Sequence, residues 1–125
     1  MLGYHGSPDS NVTSILPQTP AAELARLLNP WPALVYAGAH THVRMLRPHQ
    51  ASLVVNPGSV GMASAIRPNG EDHLIAQVEF AILEADAGGI RVDFRAIELD
   101  RAALVDSARS SRNPDAGWWA ESWSG

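Results

Sequence analysis

Residues 33–42 decide the predicted fold, and they read Ala33-Leu34-Val35-Tyr36-Ala37-Gly38-Ala39-His40-Thr41-His42. The first five form a continuous apolar run bounded by Pro32 and Gly38, which is typical of a strand buried on both faces, as in parallel sheets. Upstream, residues 1–4 predict the end of another strand, and a helix is predicted between the two. Strand, helix and strand in this order predict a βαβ unit and therefore an α/β fold.

The helix between these strands is marked at both ends. Thr19 and Pro20 supply an N-cap and a first-turn proline. Asn29-Pro30 ends the helix, because proline cannot continue it. Its apolar positions are Ala21, Leu24, Ala25, Leu27 and Leu28. They lie on one face, which predicts packing against a sheet.

Further strands are predicted downstream. A short strand at 52–55 meets Asn56-Pro57-Gly58-Ser59, which is a tight turn by composition. Two longer strands, 74–83 and 90–97, flank a hairpin loop at 84–89.

The end of the chain predicts one more helix. Asp100 caps this helix, which extends to about Ser110. The candidates for its buried side are Leu99, Ala103 and Leu104. Nothing along the chain marks a linker or a repeat, so the sequence predicts one domain over residues 1–125.

The composition disfavours several classes of function. A net charge of -4 and a pI near 5.6 provide no basic surface for a nucleic-acid backbone, so bulk nucleic-acid binding is disfavoured. The chain has no cysteine, so any metal must be bound by nitrogen and oxygen ligands. No stretch approaches the roughly 20 apolar residues of a membrane span, and no signal-peptide pattern opens the chain. A soluble, cytoplasmic protein is therefore expected.

Three histidines follow predicted strands and are candidate metal ligands. His5 follows the first strand, and His40 and His42 follow the strand at 33–37. Open α/β sheets place binding groups at the carboxyl ends of their strands. An extended backbone would point His40 and His42 the same way, because residues two apart share a face. A lone strand-end histidine is more often structural, but three of them at two strand ends favour a metal site.

Other polar and aromatic residues are given structural interpretations. His49 and His73 lie in polar, turn-like stretches and are expected to be solvated or structural. Asp9 is expected to cap its own loop, although it could contact a ligand. The tail contains three tryptophans, Trp118, Trp119 and Trp123. They could anchor a partner, but docking of the tail on the domain is the favoured interpretation.

Three motifs follow the predicted strands: His5-Gly6-Ser7-Pro8, residues 38–42, and Asn56-Pro57-Gly58-Ser59-Val60-Gly61. Their order and spacing resemble motifs of the calcineurin-like metallophosphoesterase superfamily, particularly its small bacterial and archaeal phosphodiesterase branch. The likeness spans nearly all 125 residues. It implies the carboxyl-terminal half of a metallophosphoesterase-type α/β sandwich, with a mixed sheet and flanking helices.

The resemblance implies a pair of divalent metal ions and a small phosphoester substrate. His5 and His40 resemble ligands of one ion, and His42 resembles a ligand of the other. A bridging water would be the nucleophile, so no residue of this chain is itself assigned as catalytic. Manganese, iron, zinc and nickel all suit imidazole with carboxylate and water, so the identity of the metal stays open.

The same resemblance implies a loop beside the substrate. Its residues are Asn56, Gly58 and Ser59. Glycine would permit a close approach of the backbone to the site. An ordinary turn after a strand is the alternative interpretation.

Two departures from the family pattern matter. Either Ala39 replaces the glycine of the motif, or the loop is one residue longer. Replacement is the favoured interpretation, and Gly38 then lies in the preceding strand. No Asp-x-His, Gly-Asp or Gly-Asn-His sequence occurs in the chain, although the family's first half carries such motifs. A bridging carboxylate and a proton donor for the leaving group are therefore missing. One weakly bound ion is the most that the three histidines are expected to hold.

These departures predict a truncated copy that is inactive by itself, with the three absent motifs encoded upstream of Met1. Two alternatives remain open. One is a non-catalytic binding or scaffold module, because the resemblance extends to the small retromer subunit. The other is a half-domain that a partner chain completes. An exposed sheet edge could also support self-association.

Overall fold

A four-stranded sheet and one helix form the first part of the structure. The computed structural model describes residues 1–123, which fall into two compact units, Met1–Ser59 and a second unit that begins at Val60. The elements of the first unit are β1 (Leu2–Gly3), α1 (Ala21–Leu28), β2 (Val35–Ala37), β3 (Met45–His49) and β4 (Ser52–Asn56). The order of the strands in the sheet is β1-β2-β4-β3.

This sheet contains both parallel and antiparallel pairs. β1 pairs with β2 in parallel, β2 pairs with β4 in parallel, and β3 runs antiparallel to β4. β1, α1 and β2 therefore form the predicted βαβ unit. Because β1, β2 and β4 run in the same direction, their carboxyl ends lie at the same edge of the sheet.

One face of α1 is buried in the core of the first unit. Leu24, Leu27 and Leu28 are buried and belong to the same hydrophobic cluster as Tyr36 of β2 and Val54 of β4. Their spacing of three and four residues puts the leucines on one side of the helix. The predicted packing of this helix on a sheet is confirmed.

The start of α1 differs from the prediction by one residue. Pro20, with an extended backbone (φ -54°, ψ 143°), is the N-cap, and no side chain caps the helix. Thr19 is wrong as the N-cap, because its hydroxyl accepts a hydrogen bond from the Leu16 N–H (2.9 Å) in the preceding turn. Threonine hydroxyls bond readily to nearby backbone, and here the turn competes successfully with the helix.

The sequence patterns do not predict β3. Met45 is buried whereas Leu46 is 49% exposed, and Pro48 lies within the strand. Proline has no N–H to donate to a neighbouring strand, so it is tolerated at an edge, which is where β3 lies. Gln50, with φ 54°, lies in the tight turn that leads into β4.

Two hairpins and two helices form the second unit. Its elements are β5 (Ser64–Ile66), β6 (Asp72–Leu74), β7 (Gln77–Asp86), β8 (Gly89–Glu98), α2 (Arg101–Ser110) and α3 (Ala116–Ser122). β5 pairs antiparallel with β6, and β7 pairs antiparallel with β8. The sequence patterns predict the second hairpin and α2, but neither the first hairpin nor α3.

The long hairpin turns more tightly than predicted. The loop expected at 84–89 is reduced to Ala87 and Gly88, because Asp86 and Gly89 pair across the turn. The Asp86 carboxylate accepts a hydrogen bond from the Gly88 N–H (2.7 Å). Gly89 has φ 130°, a conformation that favours glycine. Leu74, expected at the start of the first long strand, belongs to β6 instead.

α2 begins as the sequence predicts. Asp100 Oδ1 accepts hydrogen bonds from the N–H groups of Ala102 (2.9 Å) and Ala103 (3.2 Å). Leu99 and Leu104 are half-buried, as expected, but Ala103 is exposed, so its assignment to the buried side is wrong. The half-buried residues of α2 are Leu104, Val105 and Ala108. They lie on one side of the helix, and Ala103 lies outside it.

The predicted class, a mixed α/β fold with a mixed sheet and flanking helices, is confirmed. The interpretation of residues 1–125 as a single partial domain stays a prediction. Within residues 1–123, no helix is both long and apolar enough to cross a membrane.

Candidate metal centre

Three loops lie at the carboxyl edge of the parallel strands in the first unit. His5 follows β1, residues 38–42 follow β2, and Asn56 ends β4. The Ala39 N–H donates a hydrogen bond to the His5 carbonyl (3.1 Å), which joins the first two loops. The strand pairing and this bond bring residues far apart in sequence to one place.

The side chains of His5 and His40 meet at this edge. His5 Nε2 lies 3.1 Å from His40 Nδ1, and the ring centroids are 4.9 Å apart with an interplanar angle of 65°. Two imidazole nitrogens that each lie about 2.0–2.1 Å from one ion are about 3 Å apart when the angle at the ion is roughly 90–110°. The observed spacing fits two ligands of one ion, and it equally fits a hydrogen bond between neutral rings.

His42 does not join this pair in a three-residue cluster. Among residues 1–123, no group of three or more histidine, aspartate or glutamate side chains is arranged to hold a metal ion. The extended backbone expected over residues 40–42 is wrong, because His40 (φ 64°) and His42 (φ 57°) are both left-handed. Side chains two apart share a face only in an extended strand. Metal binding by these histidines stays a prediction.

The left-handed backbone of His40 and His42 has an energetic cost. Each L-residue in this region costs roughly 1–2 kcal/mol. Such conformations persist when surrounding contacts hold them, and they are frequent at functional sites. The contacts that hold residues 38–42 are therefore part of the site.

The side chain of Asn56 makes two of these contacts. Its side chain is buried, with 2% exposed. Nδ2 donates to the Ala39 carbonyl (2.7 Å) and to the Thr41 hydroxyl (3.1 Å), and Oδ1 accepts from the Gly58 N–H (3.0 Å). Sequence reasoning missed these contacts. The available signal was a polar residue that directly continues the buried run of β4.

The predicted substrate loop is buried in this structure. Asn56, Gly58 and Ser59 all have little exposed surface, and Gly58 has φ 97°, which favours glycine. The loop therefore closes tightly after β4. Contact of these three residues with a substrate stays a prediction.

Gly38 provides room for the ring of Tyr4. A Cβ at position 38 would lie 2.6 Å from Tyr4 Cε2. The Tyr4 hydroxyl is buried without a hydrogen-bond partner among the described residues. Burial, with a smaller contribution from Tyr36, raises the pKa of Tyr4 to about 12. Ala39 has no positive φ, so alanine is tolerated where the family motif has glycine.

Gly6 lies against the backbone of the turn that follows it. A Cβ there would lie 2.8 Å from the carbonyl carbon of Asn11 and 2.8 Å from the Ser10 oxygen. Within this turn, the Ser7 hydroxyl donates to the Asp9 carboxylate (2.7 Å). Asp9 therefore contacts a side chain of its own loop. Capping of the loop backbone by Asp9 stays a prediction.

The remaining histidines and the tail tryptophans belong to other segments of the chain than the three loops. His49 and His73 lie on β3 and β6 rather than in turns. His49 Nε2 is 2.9 Å from Asn29 Oδ1, which confirms a structural contact. His73 Nδ1 is buried without a partner in the described part of the chain. Trp123 is buried, as docking of the tail predicts, whereas Trp118 is 54% exposed.

Two solved structures resemble this chain over most of its length. The sequence matches no model of a protein family and no curated protein. A hypothetical protein from Pyrococcus horikoshii is similar with a TM-score of 0.68 and 22% identity, over 94% of this chain and 44% of that one. A metallophosphoesterase from Sphaerobacter thermophilus is similar with a TM-score of 0.67 and 20% identity, over 97% of this chain and 54% of that one. The chain has a metallophosphoesterase fold.

The metallophosphoesterase fold is the one that the three sequence motifs predict. This chain spans about half the length of each of the two solved structures. At these identities the likeness shows the fold and leaves the activity open. Vacuolar protein sorting 29 from Cryptosporidium parvum, at 16% identity over 62% of this chain and 42% of that one, has a TM-score of 0.28, too low to support an argument.

Proposed function

We propose that this chain binds a divalent metal ion through His5 and His40 and contributes to metal-dependent hydrolysis of a phosphoester. The observation that supports this most is the 3.1 Å separation of His5 Nε2 and His40 Nδ1. Both residues lie at the carboxyl edge of parallel strands, in a chain with a metallophosphoesterase fold. Divalent ions in such a site acidify water and stabilise charge on the oxygens of the phosphoester.

In this proposal, residues of this chain bind the metal ions and lie beside the substrate. His5 and His40 supply two of the roughly four to six ligands that a divalent ion needs. His42 is assigned to the second ion of a complete two-ion site, which this chain by itself is not expected to hold. The residues proposed to lie beside a small phosphoester substrate are Asn56, Gly58 and Ser59. Manganese, iron, zinc and nickel are all candidate ions, because imidazole suits each of them. A cytoplasmic location belongs to the same proposal.

Metal binding is tested by isothermal titration calorimetry of the whole chain with Zn²⁺ and Mn²⁺. We expect one weak site in the wild type and its loss in His5→Ala and in His40→Ala, because each variant removes one of the converging ligands. His49→Ala is the matched control, since His49 lies in the same unit and contacts Asn29. Equal binding by His40→Ala and the wild type would contradict the proposal.

We propose that the chain does not hydrolyse phosphodiesters by itself. Two converging histidines leave a bound ion short of protein ligands, and a bridging carboxylate motif is absent from the sequence. A bis-aryl phosphate with added manganese is therefore expected to show no turnover. Robust metal-dependent turnover that His42→Ala abolishes would overturn this part of the proposal.

A second candidate function is a half-domain that a partner chain completes. It is favoured by the coverage of 44% and 54% of the two solved structures. The test is to mix this chain with the remaining segment of the Sphaerobacter thermophilus protein and to assay the bis-aryl phosphate. Complex formation with turnover supports the half-domain function. Absence of both a complex and turnover counts against it.

A further inference from the structure

Asn56 connects the loop after β4 to the loop that carries His40 and His42. We propose that Asn56 is a positioning residue, whose side-chain amide holds the backbone around His40 so that the His40 imidazole faces His5. The inference rests on the proposed metal binding by His5 and His40. It assigns to Asn56 a role different from contact with a substrate.

The amide nitrogen and the amide oxygen of Asn56 are both hydrogen-bonded within the protein. A carboxamide has two N–H donors and one oxygen acceptor. Nδ2 donates to the Ala39 carbonyl (2.7 Å) and the Thr41 hydroxyl (3.1 Å), and Oδ1 accepts from the Gly58 N–H (3.0 Å). The side chain is 2% exposed. A substrate could reach this amide only if these bonds broke.

The two groups that accept from Asn56 lie on either side of His40. Ala39 precedes the histidine and Thr41 follows it, so both neighbours are attached to one buried amide. Ala39 is also attached on its other side, because its N–H donates to the His5 carbonyl (3.1 Å). The backbone of His40 is therefore connected to the end of β4 and to the residue whose side chain it meets.

The backbone of His40 needs such anchoring. His40 and His42 have φ values of 64° and 57°, in a region that L-residues rarely adopt. Without the two bonds from Asn56, residues 39–41 can relax to a negative φ at His40, which changes the direction of its side chain. Asn56 therefore sets the direction of the His40 ring before any ion binds.

The test compares Asn56→Ala with Val54→Ala. Val54 is also fully buried in β4, but it belongs to the hydrophobic cluster with α1 rather than to the loops. Both variants are expected to lose stability, so Zn²⁺ titration is performed at a temperature where circular dichroism shows each to be folded. We expect Asn56→Ala to lower the affinity for Zn²⁺ about tenfold or more, and Val54→Ala to bind as the wild type does.

Thr41→Val gives a milder version of the same change. It removes one of the two acceptors on either side of His40 and keeps the shape of the side chain. Its affinity for Zn²⁺ should fall between those of the wild type and Asn56→Ala. If Asn56→Ala does not fold, the affinity of Thr41→Val for Zn²⁺ tests the inference by itself.

A measurement without metal separates this inference from the proposed function. The rings of His5 and His40, 4.9 Å apart, should give nuclear Overhauser contacts in the wild type and in Val54→Ala. These contacts should be weakened in Thr41→Val and lost in Asn56→Ala. If the wild type binds no Zn²⁺, the proposed function fails while the ring contacts still test the positioning role. Ring contacts retained in both loop variants would overturn the inference.

Discussion

Gly6 and Gly38 are required for space rather than for a positive φ. A side-chain carbon would meet backbone atoms at 2.8 Å beside Gly6 and the Tyr4 ring at 2.6 Å beside Gly38. In the loops after β1 and β2, the left-handed φ values belong to His40 and His42, whereas the glycines there have none. The motif therefore uses glycine for close packing and relies on hydrogen bonds to hold its histidines in an unfavourable conformation.

The first prediction concerns Gly6. Gly6→Ala should lower the free energy of unfolding by about 1–3 kcal/mol, because the new carbon overlaps backbone that cannot move aside easily. Gly3→Ala is the matched control on β1, where a Cβ meets nothing within 4 Å. Urea unfolding of the two variants measures the difference. A loss as large in Gly3→Ala as in Gly6→Ala would show that steric overlap is not the cause.

The second prediction concerns the hydroxyl of Tyr4. Tyr4→Phe removes a buried group that has no partner among the described residues, so stability at neutral pH should be unchanged or slightly higher. Tyr36→Phe is the control, because its hydroxyl accepts from the Ala33 N–H (3.3 Å) and donates to the Leu28 carbonyl (3.4 Å). That variant should lose about 1 kcal/mol. Thermal unfolding that ranks the two variants in the opposite order would contradict this assignment.

At the scale of elements, local sequence patterns were sufficient to predict some helices and strands and insufficient to predict others. The face of α1 and the cap of α2 follow from residues close together in sequence. β3, β5 and β6 have five residues or fewer, and each exists because it pairs with another strand. Short strands carry too few residues for a clear alternating pattern, so their pairing partners decide them.

The third prediction concerns the cap of α2. Asp100→Ala removes an acceptor for two backbone N–H groups and should cost about 1 kcal/mol of stability. Asp115→Ala is the matched control, because Asp115 is the N-cap of α3 but its side chain makes no capping hydrogen bond. Thermal unfolding followed by circular dichroism measures both variants. If they lose the same stability, the hydrogen bonds of Asp100 are not the source of the effect.

At the scale of the whole molecule, the β7–β8 hairpin leaves apolar surface exposed. No residue of either strand is fully buried. Ile82 and Ile97 are 42% and 54% exposed. Exposed apolar strands favour pairing with other chains, and charged side chains oppose it. The expected self-association through a sheet edge is therefore proposed for this hairpin.

The fourth prediction follows from this exposure. Light scattering after size-exclusion chromatography should give a mass that rises above 13.4 kDa as the concentration increases. Ile82→Lys should reduce the rise by placing a charge on the exposed hairpin. Val12→Lys is the control, since Val12 is 79% exposed outside the strands. A constant monomeric mass at every concentration would exclude self-association.

The sequence by itself determined the βαβ order, the buried face of α1 and the position of each candidate histidine after a strand, because these features depend on local periodicity and turn formers. The tertiary structure decided which side chains meet. Parallel pairing of β1 with β2 aligns two strand ends and brings His5 to His40, whereas a left-handed backbone directs His42 independently of any strand pattern. The tertiary structure also brings the side chain of Asn56 into hydrogen bonds with both neighbours of His40. Long-range strand pairing and backbone conformation determine these contacts, and neither produces a periodic pattern of residues in the sequence.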